Sequence, residues 1–173
     1  MTILRTLALA GALAFAGALP TSANDAVAVY LASLGQQPTS IGATGRPMDL
    51  VAAARRHVGA RARDLGLPRG LWCADFVNLA RREAGLRAVP SRLARDQIAG
   101  GRRVAEPRPG VVVVVSRRGG RLAAHTGVVS EVLPTGDVVV ISGNSGTRDR
   151  SGRRVTEAVY PRSRVIAFVD PNS

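Results

Sequence analysis

Gly70-Leu71-Trp72-Cys73-Ala74-Asp75-Phe76 holds the single cysteine and the single tryptophan of the chain. Behind it Phe76, Val77, Ala80 and Ala84 recur at helical spacing. Asn78, Arg81, Arg82 and Glu83 fall mostly between them, and Gly85 ends the run. Cys73 therefore begins a helix, where unpaired N–H groups and the positive end of the helix dipole gather. Both favour thiolate over thiol, and the thiolate is the nucleophile. The plainer reading of a lone cysteine is a small, buried, apolar side chain. The rest of the chain decides between the two.

At 173 residues the chain is long enough for one domain with a real core. Residues 1–23 stand apart from it. Arg5 gives a short positive start, Thr6 to Leu19 is an apolar run too short to span a bilayer comfortably, Pro20 breaks it, and Thr21-Ser22-Ala23 offers small residues for cleavage. That pattern is a secretory signal peptide, so the mature protein is expected in the periplasm or outside the cell. An uncleaved N-terminal anchor is the alternative. Exported domains use cysteines in pairs. A single leftover thiol in such a chain is an intermolecular bridge or a reactive group.

The formal charge is +12, and every Lys/Arg position is arginine. Loss of Arg5 with the leader leaves +11. Such a protein is drawn to polyanions. Outside the cytoplasm these are anionic cell wall and membrane surface. Aromatic residues are only 3% of the chain, which leaves few stacking platforms for single-stranded nucleic acid, and no specific nucleic-acid partner is expected. Most of the arginines read as a solvated face.

Residues 24–48 read as an N-terminal extension and linker, with a weak helical pattern over Asn24 to Leu34 followed by Gly, Pro, Ser and Thr. The folded domain is placed at 49–173. Asp49 is a good N-cap for a helix running to about Arg63, with His57 on its apolar face. Ser91 to Ile98 reads as a further short helix. Then the period changes. Val111 to Val115 is a buried strand, and Ala124 to Leu133 and Asp137 to Ser142 are strands joined by a hairpin at Pro134-Thr135-Gly136-Asp137. Val155 to Tyr160 and Arg164 to Val169 complete the set. Helices first and an antiparallel sheet of about five strands after is an α+β fold. Two histidines and one cysteine at wide spacing do not make a metal site, and no cofactor is expected.

A thiol nucleophile needs a base, and the base an orienting partner. His57 reads as a half-buried packing histidine. His125, in Ala123-Ala124-His125-Thr126-Gly127, has small neighbours that leave its ring open. With Thr135-Gly136 as a two-residue loop, His125 falls opposite Gly146 and Gly127 opposite Asn144. This puts His125, Gly127, Ser142 and Asn144 on one sheet face, with Asn144 diagonal to His125 at about 7–8 Å. A three-residue loop would flip the parity. The expected catalytic set is therefore Cys73 as nucleophile, His125 as base and then acid, and Asn144 as orienter, with the Cys73 N–H as one oxyanion donor. Trp72 and Asp75 are the candidate substrate-binding residues. Trp72 would otherwise cover the core, and Asp75 would otherwise complement the helix dipole or hold a nearby arginine.

Trp72-Cys73-Ala74-Asp75-Phe76-Val77-Asn78 resembles the nucleophile segment of the CHAP and NlpC-type hydrolases, papain-like cysteine amidases and endopeptidases of the bacterial cell wall. Glu106-Pro107-Arg108-Pro109-Gly110 before the valine run, then Ala124-His125-Thr126-Gly127-Val128-Val129, then Ser142-Gly143-Asn144, follow in the family's order. Val111 stands where an aspartate is usual, Thr126 where an apolar residue is, and Ser145 where a glutamine is common. The resemblance implies a papain-like fold over about Asp49 to Asp170 and a peptidoglycan substrate. A catalytically inactive wall-binding module of the same fold is the alternative it leaves open.

Overall fold

The structure is a computed structural model. It describes residues 49–117, 120–146 and 152–173, with only the main chain of 120–123. The expected leader, the extension and part of the Arg117–Gly120 turn lie outside the described residues.

Asp49 caps the first helix as expected. Its Oδ1 accepts from the Ala52 N–H at 2.9 Å, but the helix, α1 (Leu50–Arg55), stops well short of Arg63. The chain leaves it through Gly59 at φ +90°, and there Gly59 N–H meets the Val155 carbonyl at 2.9 Å while Val155 N–H returns to Ala60 at 2.8 Å. Two bonds to a strand edge compete with helix continuation, and a glycine that adopts positive φ without steric cost favours the exit. The second helix, α2 (Cys73–Glu83), begins at Cys73, and Gly85 at φ +73° follows its end. Ser91 to Ile98 gives a 3-10 turn at Ala94–Ala99 in place of an α-helix.

Six strands form one antiparallel sheet: β1 (Arg102–Val104), β2 (Val112–Arg117), β3 (Gly120–Val132), β4 (Val138–Ser145), β5 (Arg154–Tyr160) and β6 (Val165–Asp170), in the order β1-β6-β2-β3-β4-β5. The three-residue edge strand β1, paired to the end of β6, is the one the sequence pattern does not announce. The fold is α+β, with few helices on an antiparallel sheet.

Alternation divides the sheet between two cores. Val112, Val128, Ile141, Val155 and Val169 face α1 and α2 and pack with Leu50, Ala53, Trp72, Phe76, Val77 and Ala80. Val111, Val113, Val115, Val129, Val138, Val140 and Phe168 pack together on the opposite face. The continuous Val111–Val115 run is legible from this, since both faces are buried. Gly143 lies where α2 crosses β4. A Cβ there would sit 2.5 Å from Trp72 Cζ3 and 2.7 Å from Phe76 Cβ, so glycine is what lets the helix approach.

The β3–β4 register corrects the expected one by two departures that cancel. Leu133 N–H bonds the Asp137 carbonyl, which makes the loop three residues, and Val132 pairs with Val138. A bulge between Val129 and Glu131 then shifts the ladder again, to Val129↔Val140 and Val128↔Ile141. The loop flips the parity, and the bulge flips it back. His125, Gly127 and Ser142 therefore stay on one face, as the two-residue loop would have had them, although the partners differ by two.

Candidate active site

Cys73 is buried as the first residue of α2, behind Trp72, whose carbonyl accepts the Phe76 N–H at 3.0 Å. The sulfur is met by the N–H groups of Thr126, Ala74 and Cys73 itself. Burial pushes the thiol up from its ordinary range. The Arg117 guanidinium and those three N–H groups pull the other way and do not overcome it. The N–H groups at the helix start do favour the thiolate, as expected, but burial outweighs them.

Thr126, whose amide meets the sulfur, is the residue after His125. Its N–H lies at the level of the sheet, near the point where the β3–β4 ladder stops at Val128↔Ile141. Pleating turns the His125 side chain to the face of its partner Val115, away from the helices. There the imidazole stacks on Tyr160, with centroids 5.9 Å apart and planes at 22°. His125 is 4% exposed. Its Nε2 lies 3.2 Å from Ser145 Oγ, and its Nδ1 has no hydrogen-bond partner among the described residues. Burial pushes its pKa down to about 3, and Arg117, Arg164 and Arg153 add to the shift. At neutral pH the site therefore holds a thiol and an uncharged imidazole, with one arginine charge, that of Arg117, acting on both.

Asn144 makes no hydrogen bond to His125, which corrects its expected role as orienter. It sits at φ +62° in a bulge of β4, its Oδ1 accepts from Arg153 Nη1 at 3.2 Å, and its Nδ2 is buried without a partner among the described residues. Ser145 holds the imidazole instead, and Ser142 Oγ lies 2.9 Å from Ser145 Oγ. Sequence reading passed over Ser145. The signal was Asn144 itself, a residue type that tolerates positive φ, set between Gly143 and Gly146 where a bulge would turn the next side chain.

The two candidate substrate-binding residues are otherwise engaged. Trp72 is 3% exposed and packs beneath Gly143, so its ring belongs to the core and not to a groove. The Asp75 carboxylate holds a nearby arginine: Arg92 Nε donates to both oxygens, at 3.2 and 3.1 Å, and its Nη2 reaches the Leu71 carbonyl. This pair ties the 90–93 segment to the start of α2. His57, expected as a packing histidine, lies just past α1. Its Nε2 bonds the Glu83 carboxylate at 2.9 Å, and its ring meets Phe76 edge-on.

Two side chains expected on the polar side of α2 are buried hubs. Asn78 receives the Val89 N–H at 2.9 Å and donates to the carbonyls of Val89 and Ser91. Arg81, 1% exposed, donates to the carbonyls of Gly100 and Arg87. They fasten the 86–100 segment against α2, which helps fix the position of the Cys73 end.

No curated protein and no solved structure matches the chain. The CHAP domain family matches residues 64–144, a stretch that runs from just before the Cys73 helix to Asn144. CHAP domains are in general amidases or peptidases acting on peptidoglycan. Over residues 64–144 the chain is thus similar to the CHAP domain family, which is consistent with the CHAP-type cysteine peptidoglycan hydrolases.

Proposed function

We propose that the protein is an exported cysteine hydrolase that cleaves amide bonds of peptidoglycan, with Cys73 as nucleophile and His125 as general base. The observation that carries this is local. The sulfur lies against the amide of the residue next to His125, and the ring nitrogen nearer the main chain, Nδ1, is the one without a partner. Because thiol and imidazole are both uncharged at neutral pH, the proton moves as the sulfur attacks. The S–H proton passes to Nδ1, sulfur bonds the carbonyl carbon, and the carbonyl oxygen takes the electron pair. The Cys73 N–H at the start of α2 is the donor for that oxyanion. On collapse the C–N bond breaks, and the leaving amine takes the proton from Nδ1. Water then attacks the thioester carbonyl and gives a proton to Nδ1; as the C–S bond breaks, the thiol regains its proton from there.

The basic surface fits residence on an anionic wall, with affinity that falls as salt rises. The apolar leader before Ala23 supports export. A wall-binding module without turnover is the second reading, favoured by the placement of the His125 side chain on the sheet face away from the helix that carries Cys73. Digestion of purified peptidoglycan separates the two, with fragments identified by mass spectrometry. The mature protein is expected to release fragments ending in a newly freed amine and carboxylate, and Cys73→Ala is expected to release none above buffer. Equal release by Cys73→Ala would refute the hydrolase mechanism; binding without release by the unaltered protein would establish the module.

A further inference from the structure

In a regular strand, residues three apart face opposite sides, so Ser142 and Ser145 should not meet. Their hydroxyls are nevertheless 2.9 Å apart. The β4–β5 register shifts between Ser142 and Ser145, and within that interval Asn144 stands at φ +62°. Asparagine is, after glycine, among the residues that adopt this conformation most readily. The turn it makes brings Ser145 Oγ to His125 Nε2 at 3.2 Å, while Tyr160 holds the plane of the ring from one side. The Asn144 carboxamide is engaged elsewhere. A guanidinium only donates, so the amide oxygen faces Arg153.

We propose that Ser145, supported by Ser142, is the positioning residue for His125, and that Asn144 serves the site through its backbone conformation; this rests on the hydrolase reading above. For Nδ1 to accept the thiol proton, Nε2 must carry the ring proton. Ser145 Oγ then accepts from Nε2–H and donates its own proton to Ser142 Oγ. The relay fixes the tautomer and the in-plane rotation of the ring. A carboxylate in this place would also stabilise a charged imidazolium, whereas a hydroxyl supplies orientation without charge. That matches a base surrounded by arginines, which works from its neutral form.

The test compares Ser145→Ala, Ser145→Thr and Asn144→Gly with Cys73→Ala as control, measuring kcat, KM and the pH profile of peptidoglycan cleavage. Ser145→Ala is expected to lower kcat roughly tenfold to a hundredfold with KM little changed. Ser145→Thr, which keeps the hydroxyl, should restore most of the loss. Asn144→Gly, which keeps the backbone conformation, should lose far less than Ser145→Ala. A loss for Asn144→Gly as large as that for Ser145→Ala, or full activity in Ser145→Ala, would overturn the relay while an inactive Cys73→Ala leaves the hydrolase reading standing. Activity in Cys73→Ala would remove both. The His125 ring-nitrogen shifts of the unaltered protein, read by NMR, decide the matter even if a variant fails to fold. The Nε2–H tautomer supports the relay, and Nδ1–H overturns it.

Discussion

The turn after α1 and the open end of β3 each carry a histidine, and they are built in opposite ways. His57 is half-buried against the Glu83 carboxylate, with Arg56 also reaching that carboxylate at 3.6 Å. The ring has a carboxylate for a hydrogen-bond partner and closes the contact between the α1 turn and α2. His125 is fully enclosed and, among the described residues, has arginines and no carboxylate for charged neighbours and keeps one nitrogen without a partner. The first arrangement stabilises a fold. The second costs stability, and a buried group opposed by its surroundings and left unsatisfied is where function is to be sought.

The largest expected difference between the two regions is catalytic. His125→Ala should lower kcat/KM for peptidoglycan cleavage by about 10²–10⁴-fold, the usual worth of a general base. His57→Ala should leave kcat/KM within a fewfold and cost about 1–2 kcal/mol in denaturant unfolding, the scale of a charged hydrogen bond. The comparison breaks if the two histidines exchange these signatures.

The next effect is on stability against pH. His125 has a pKa of about 3 in the folded protein, below the 6.5 of an unperturbed histidine. Between those values the unfolded chain binds a proton that the folded chain refuses. Stability therefore falls as pH drops from about 6.5 towards 3, by up to about 1.4 kcal/mol per pH unit from this group. His125→Gln should remove one proton's worth of that slope, measured by urea unfolding across the window. An unchanged slope would mean that the ring is not buried uncharged.

The same contrast separates the two buried asparagines, at a smaller scale. Asn78 uses both ends of its amide, and removing it leaves Val89 N–H without its acceptor, so Asn78→Ala should cost about 2–3 kcal/mol in unfolding free energy. The smallest effect belongs to the exposed Asp75–Arg92 pair. Arg92→Ala should cost about 0.2–1 kcal/mol, less at high salt, by the same measurement.

How much of this was legible follows the range of the forces involved. The start and stop of α2, the Asp49 cap and the valine strand are set by local periodicity and capping, and they read directly from the sequence. The short α1 was not legible, because Gly59 leaves the helix for a partner, Val155, far along the chain. The shared face of His125, Gly127 and Ser142 was reached through a wrong loop length, rescued by a bulge that no local pattern announces. Asn78 and Arg81 looked like polar-face residues, since sequence shows their polarity but not the returning 86–100 segment that buries them. Cys73 and His125 were singled out by residue type and order alone. Their protonation was not legible, because it is set first by burial, which only the assembled fold supplies, and for His125 then by three arginines from separate segments.

The proposal stands on Cys73 and His125 reacting from their uncharged forms, with the proton moving only when substrate is attacked. The rate of Cys73 alkylation by iodoacetamide, followed against pH in the mature protein, tests it most directly. Slow labelling at pH 7 is expected, with a rate that rises only above the ordinary cysteine range near 8.5. Fast labelling that titrates below pH 7 would mean a standing thiolate, and would contradict it.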